Sequence, residues 1–184
     1  MKKQLRNFIL LSVMLCISYN IIGCGYTTRS MISSKYRTIY IEPFLNKIDI
    51  TRESEVSSKY KIYRPSVETE IYKAVVNKFL FDGNLKLAKT DTADLILKGE
   101  VTEFRRDPLR YTESDDVEEY RINLVVNLSL YDTALNTLVW EEKGFTGDTT
   151  YFTSGTSAKS EESAVVEALS DLSRRIVERT VEQW

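Results

Sequence analysis

Three arginines stand close together in the middle of this chain. Arg105, Arg106 and Arg110 lie within six residues of one another, next to Tyr111. Guanidinium groups grip phosphate and carboxylate through paired N–H donors, so a trio at this spacing is a candidate anion-binding cluster. Immediately afterwards come Glu113, Asp115, Asp116, Glu118 and Glu119. Calcium takes several oxygens, but the ligand spacing and turn glycine of a calcium loop are missing, so residues 115–119 read as a solvated acidic turn and no metal is expected. The pairs Glu141/Glu142 and Asp91/Asp94 are what any chain this rich in carboxylates contains. There is no histidine among the 184 residues, which removes the usual general base, proton shuttle and commonest metal ligand. Gly147 and Gly155 stand alone, outside any spaced phosphate-loop motif. The sequence therefore points away from an enzyme and away from a cofactor.

Both cysteines, Cys16 and Cys24, fall in the first 24 residues. Lys2, Lys3 and Arg6 precede an apolar run from Phe8 to Ile17 broken only by Ser12. That is the basic start and hydrophobic segment of a secretory signal, and it is too short to span a bilayer, which takes about 20 apolar residues. Ile21-Ile22-Gly23-Cys24 closes it. This tetrapeptide resembles the bacterial lipobox, in which the cysteine sulfur takes a diacylglycerol, the signal is cut away and the new amino group is acylated. Cys24 is accordingly expected to be the lipid attachment site and the first mature residue. Several buried acyl chains hold a protein on a membrane without a span. Gly25 is not acidic, which under the enterobacterial sorting rule favours the outer membrane. Removing residues 1–23 takes away Lys2, Lys3 and Arg6 and no acid, moving the formal charge from −2 to −5. An acidic body argues against nucleic acid as a partner.

The elements that must carry these residues follow from hydrophobic periodicity. Residues 24–36 are short, polar and Ser/Thr-rich, and read as a lipidated tether. Residues 37–184 read as one domain. Thr38 to Phe44 is β-branched and aromatic and is stopped by Pro43, predicting a strand, and residues 46–64 read as a polar loop. Pro65-Ser66 opens a helical pattern of Val67, Ile71, Ala74, Val75 and Phe79, closed at Asp82-Gly83. Alternation from Leu95 to Phe104 predicts a half-buried strand ending at Arg105–Pro108, which puts the arginine cluster just beyond a sheet tip. Ile122, Leu124, Val126, Leu128 and Leu130 share one parity, the clearest strand in the chain. A turn at 132–137 leads to a partner strand over 138–145, and residues 149–157 read as loop. Ser160-Glu161-Glu162 caps a long helix with the stripe Ala164, Val165, Ala168, Leu169, Leu172, Ile176 and Val177, and with Arg174, Arg175 and Arg179 towards its end. Trp140 is expected in the core, and Trp184 against either the sheet or a partner. The resulting expectation is α+β: a two-layer sandwich, two amphipathic helices on one face of a roughly four-stranded mixed sheet.

Taken together, Cys24-Gly25-Tyr26, the segment Ile39-Tyr40-Ile41-Glu42-Pro43-Phe44-Leu45-Asn46, and Ala93-Asp94-Leu95-Ile96-Leu97-Lys98-Gly99-Glu100-Val101 form a recognisable series. Glu119-Tyr120-Arg121-Ile122, Leu138-Val139-Trp140 and the closing helix complete it. In order and spacing the mature chain resembles the lipopolysaccharide-assembly lipoprotein family LptE. The resemblance implies a lipoprotein on the periplasmic face of the outer membrane. It would sit as a plug inside the large β-barrel LptD, support its assembly and help pass lipopolysaccharide to the outer leaflet. It also implies lipopolysaccharide contact by basic residues near sheet tips, for which Arg105, Arg106 and Arg110 are the candidates by charge and position. Residues 46–64 and the acidic turn at Asp115 depart from the family's better-known members. Two other readings remain open at the level of sequence: an auxiliary lipoprotein of an envelope lipid-transport ABC system, and a structural peptidoglycan-linking lipoprotein.

Overall fold

The computed structural model describes residues 35–49 and 64–181. Strands β1 (Thr38–Ile41) and β2 (Leu45–Asn46) are followed by helix α1 (Val67–Asp82) and the short strand β3 (Lys86–Leu87). Three long strands come next, β4 (Leu95–Tyr111), β5 (Val117–Asp132) and β6 (Thr137–Phe152), and then helix α2 (Glu161–Val181). The sheet order is β3-β1-β4-β5-β6, with β2 beside β4. β1 is parallel to β3 and β4, β2 is parallel to β4, and β4, β5 and β6 form an antiparallel meander. The architecture is the expected α+β arrangement, but the sheet has six strands rather than four. The additional two are only two residues long each: β3 falls within Leu85-Lys86-Leu87, which reads as a short extended piece too brief to count as a strand, and β2 lies at the start of the polar loop.

Phe79, Ile71 and Val75 of α1, Leu172 and Ile176 of α2, and Leu97, Phe104, Leu124 and Leu130 of the sheet are all essentially inaccessible to solvent. The alternation predicted for β5 is therefore the core face of the sheet, and the opposite face is polar. Helix α1 ends on Gly83 at φ 73°, whose N–H donates to the Phe79 carbonyl at 3.1 Å. Glycine suits that left-handed position because it has no Cβ. Helix α2 starts as the sequence suggests: the Ser160 hydroxyl accepts the Ser163 N–H at 3.1 Å. Arg64 ties the two helix starts together, at 3.0 Å from Glu70 and 2.9 Å from Glu162. At Gly147 an added Cβ would meet the Leu172 Cβ at 2.4 Å and its Cα at 2.5 Å, so α2 lies directly on the backbone of β6.

Two strand boundaries and the phase of one strand differ from the sequence expectation, each for a physical reason. β4 does not end at Arg105–Pro108; it continues to Tyr111, with Pro108 opposite Tyr120. Beyond Glu103 only β5 flanks it among the described residues, and an edge position tolerates a residue with no N–H to donate. A bulge between Val101 and Glu103 also shifts its phase, so Phe104 joins Leu95, Leu97 and Val101 on the core face although its parity is opposite to theirs. Finally, β6 runs through the supposed loop at 149, because Thr149, Thr150 and Tyr151 pair with Ile122, Arg121 and Tyr120. A second bulge in β6 sets Gly144 at φ 67°, with its N–H donating to the Asn127 side chain at 3.0 Å. Pro43 does stop β1, two residues earlier than its own position, and Phe44 then turns inward against Gly99.

Candidate functional site

The far end of the β4–β5 hairpin positions the three arginines, and it divides them. Arg105 lies opposite Asn123 on the polar face, with its guanidinium 3.1 Å from Glu103 and 3.5 Å from Asp107. Arg106 lies opposite Ile122 on the helix face, ion-paired to Glu161 in the first turn of α2 and stacked 4.9 Å over the Tyr120 ring. Tyr120 in turn stacks on Tyr151 with centroids 5.8 Å apart. Arg110 returns to the polar face, 3.7 Å from Glu119 and 5.6 Å over the Phe152 ring. These residues are thus not a single cluster beyond a strand end. The strand continues through them: alternation sends Arg105 and Arg106 to opposite faces, and the irregularity between Pro108 and Arg110 returns Arg110 to the face of Arg105.

The two environments are chemically different. Burial works against the Arg106 charge, yet the Glu161 carboxylate outweighs it and holds the pKa above the ordinary arginine value. Burial pushes the Tyr151 phenol up, as does the same carboxylate. Arg106 therefore belongs to a packed Arg–Glu–Tyr–Tyr group that joins the hairpin to α2. Arg110 is 59% exposed and its nearest carboxylate is at 3.7 Å, which leaves its fork accessible to an incoming anion. Arg121, not singled out from the sequence, shares the polar face with Arg105 and Arg110 and lies 3.8 Å from Asp148. Its signal was available: it alternates with Ile122.

The acidic segment is a turn over 112–116, with Asp115 left-handed at φ 63° and the Thr112 N–H donating to the Asp116 carbonyl at 2.8 Å. Glu118 and Glu119 already belong to β5. Among the described residues no group of three carboxylates is gathered in a way that could hold a metal ion, and no helix is long and apolar enough to cross a membrane. Trp140 is nearly buried, with Arg179 stacked 4.9 Å over its ring and paired to Glu142. Arg174 and Arg175 reach Asp171, and Arg174 also reaches Glu178, so these helix-end cations are held by side chains. On the polar face a groove of about 580 Å³ runs past Leu45, Lys98 and Tyr131; Lys98 pairs with Glu42 at 3.2 Å. Cys24, residues 50–63 of the polar loop and Trp184 lie outside the described residues.

Two helices covering one face of a mixed sheet, with a long arginine-bearing hairpin at one end, define a small α+β domain of a type found among bacterial lipoproteins. Protein XCC0632 from Xanthomonas campestris superposes with a TM-score of 0.54 at 14% identity, over 84% of this chain and 92% of that one. A minor lipoprotein from Acinetobacter baumannii gives 0.52 at 17% identity, over 79% and 93%. No curated protein sequence matches. The family model for LptE, lipopolysaccharide-assembly, matches residues 36–180. The chain belongs to the LptE family, whose members are non-enzymatic lipopolysaccharide-assembly lipoproteins.

Proposed function

We propose that this protein is lipidated on Cys24, sits on the periplasmic face of the outer membrane, and acts as plug and assembly partner of an LptD-like β-barrel that delivers lipopolysaccharide to the cell surface. The observation that carries this reading is the family match over residues 36–180, which covers the fold from β1 to the last turn of α2. The lipobox-like Ile21-Ile22-Gly23-Cys24 supports the anchor. Within the reading, Arg105 and Arg110 are the residues suited to meet lipopolysaccharide phosphates, because both stand on the polar face at the hairpin end. Arg106 contributes from the other face, by fixing that hairpin on α2.

The test is a mild-detergent pull-down of the tagged full-length protein from its native envelope. A large β-barrel recovered in equal amount is the expected result. Recovery of an inner-membrane ATPase complex, or sedimentation with peptidoglycan sacculi, would transfer the protein to one of the other two lipoprotein classes. If the barrel is recovered, charge reversal at Arg105 and Arg110 should reduce crosslinking to lipopolysaccharide while leaving barrel recovery intact.

A further inference from the structure

We infer that Asp94 and Asp132 are positioning residues for the anchor chain. Together they clasp residues 35–38, the stretch that leads in from Cys24, and join it to the base of the β4–β5 hairpin so that the two move as one unit. The inference rests on the proposed lipidation of Cys24.

Backbone pairing alone holds this stretch weakly. β1 has four residues, its pairing with β4 begins only at Ile39, and β3 on its other side is two residues long. Strand ends with so few bonds open readily. Side chains supply the rest. Asp94, immediately before β4, accepts the Arg37 and Thr38 N–H groups at 2.8 and 2.9 Å, and its own N–H donates to the Thr38 hydroxyl at 2.9 Å. Asp132, the last residue of β5, meets the Lys35 ammonium at 2.5 Å and the Tyr36 hydroxyl at 2.8 Å on one oxygen, and accepts the Leu135 N–H at 3.0 Å on the other. The Thr133 N–H donates to the Asp94 carbonyl at 3.0 Å, which ties the two grips together.

Burial and topology give the clasp its direction. The Asp132 side chain is 2% exposed and that of Lys35 50%, so the fixed partner belongs to the hairpin and the one that can withdraw into water belongs to the anchor side. A buried carboxylate left without its cation is costly, which favours the closed form. β4 and β5 are paired from Leu95 and Asp132 at this end to Tyr111 and Val117 at the other, and Arg105 and Arg110 stand on the far part of that ladder. Within the proposed plug the clasp lies at the periplasmic mouth of the barrel, where the chain departs for the surrounding bilayer. It fixes the point of departure, and with it the height at which the hairpin is held in the barrel.

Native-state hydrogen exchange on the acylated protein in detergent micelles tests the clasp residue by residue. The Arg37, Thr38 and Leu135 N–H groups all end on clasp carboxylates, although Leu135 comes from the β5–β6 turn. They should exchange through one shared opening. Lys35→Gln changes only the anchor side, yet it should speed exchange at Leu135 as well as at Arg37 and Thr38 by about tenfold, the scale of a lost hydrogen bond to a charged group. Lys35→Arg should keep the parent rates. The amides of the fully buried Leu124 and Leu172, which open with the whole fold, should move much less. An unchanged rate at Leu135 in Lys35→Gln overturns the inference, because Asp132 would then close only its own turn. Equal acceleration at Leu124 and Leu172 overturns it too, because the contacts would then stabilise the domain without positioning the anchor chain. From the hairpin side, Asp132→Asn should speed Arg37 and Thr38 well beyond any change at Leu124; where that variant does not fold, Lys35→Gln carries the test by itself. Mass spectrometry of the amino-terminal peptide reads acylation of Cys24 separately, so failure of the anchor and failure of the clasp are told apart.

Discussion

At the scale of single residues, two ionic contacts matter most. Asp132 is almost fully buried yet ionised: the Lys35 ammonium beside it, the Leu135 N–H and the Tyr36 hydroxyl hold its carboxyl down at about 2. Its folded pKa is below the ordinary value of 3.8, so its ionised form favours the fold. That contribution is complete above about pH 4 and is lost as the pH falls towards 2. Urea denaturation of Asp132→Asn should therefore show reduced stability at neutral pH and a flatter decline between pH 4 and 2 than the parent. Arg106 and Arg110 supply the second comparison. Removing Arg106 forfeits a partly buried ion pair and a stacked ring, at a cost of about 1 kcal/mol. Arg110→Ala should change stability by only a few tenths. If the two substitutions cost the same, the assignment of Arg106 to the packed group fails.

At the scale of elements, the helix layer is positioned by two glycines in different ways. At Gly147 the obstacle to a Cβ is the α2 backbone at Leu172, which can yield only if the helix moves. At Gly99 the obstacle is the Phe44 ring, 2.2 Å from the added atom, and a ring at the end of a side chain can swing aside. Gly147→Ala should cost about 1–3 kcal/mol in thermal or urea unfolding, and Gly99→Ala clearly less. Neither role was legible in the sequence, where Gly147 is one small residue in a polar stretch. What was legible followed from uninterrupted periodicity: both helices with their buried stripes, the core face of β5, and the capping serine of α2. The arginine site was only half legible. Residue type marks it, but Pro108 reads in sequence as a strand end, and that reading turns one strand with two faces into an apparent cluster. The phase shift after Val101 was equally hidden, because a bulge depends on how two strands meet and not on the composition of either.

At the scale of the whole molecule, the two ends of the sheet divide the work. One end receives the tether, and the other carries Arg105 and Arg110 on a hairpin about half of whose length is flanked by a strand on one side only. Within the proposed plug, this polarity presents the arginine end to the interior of the barrel and keeps the opposite end at its periplasmic mouth. The Gly144 bulge has a consequence for solubility. Among the described residues β6 closes the sheet order, so the part of this 16-residue strand before Asp148 turns an edge of backbone groups outward, the template on which cross-β aggregates grow, while the Asp148 N–H is taken by Asp171 and Phe152 bridges to Ala158. Gly144 breaks that row, next to Glu141, Glu142 and Lys143, so a second copy cannot dock along the whole strand in register. Deleting Gly144 would even the ladder from Trp140 onward, leaving only the irregularity at Val139 near the start of the strand. The protein should then pass from monodisperse to concentration-dependent oligomers in light scattering, and an unchanged scattering profile would mean that the flanking charges guard the edge without the bulge.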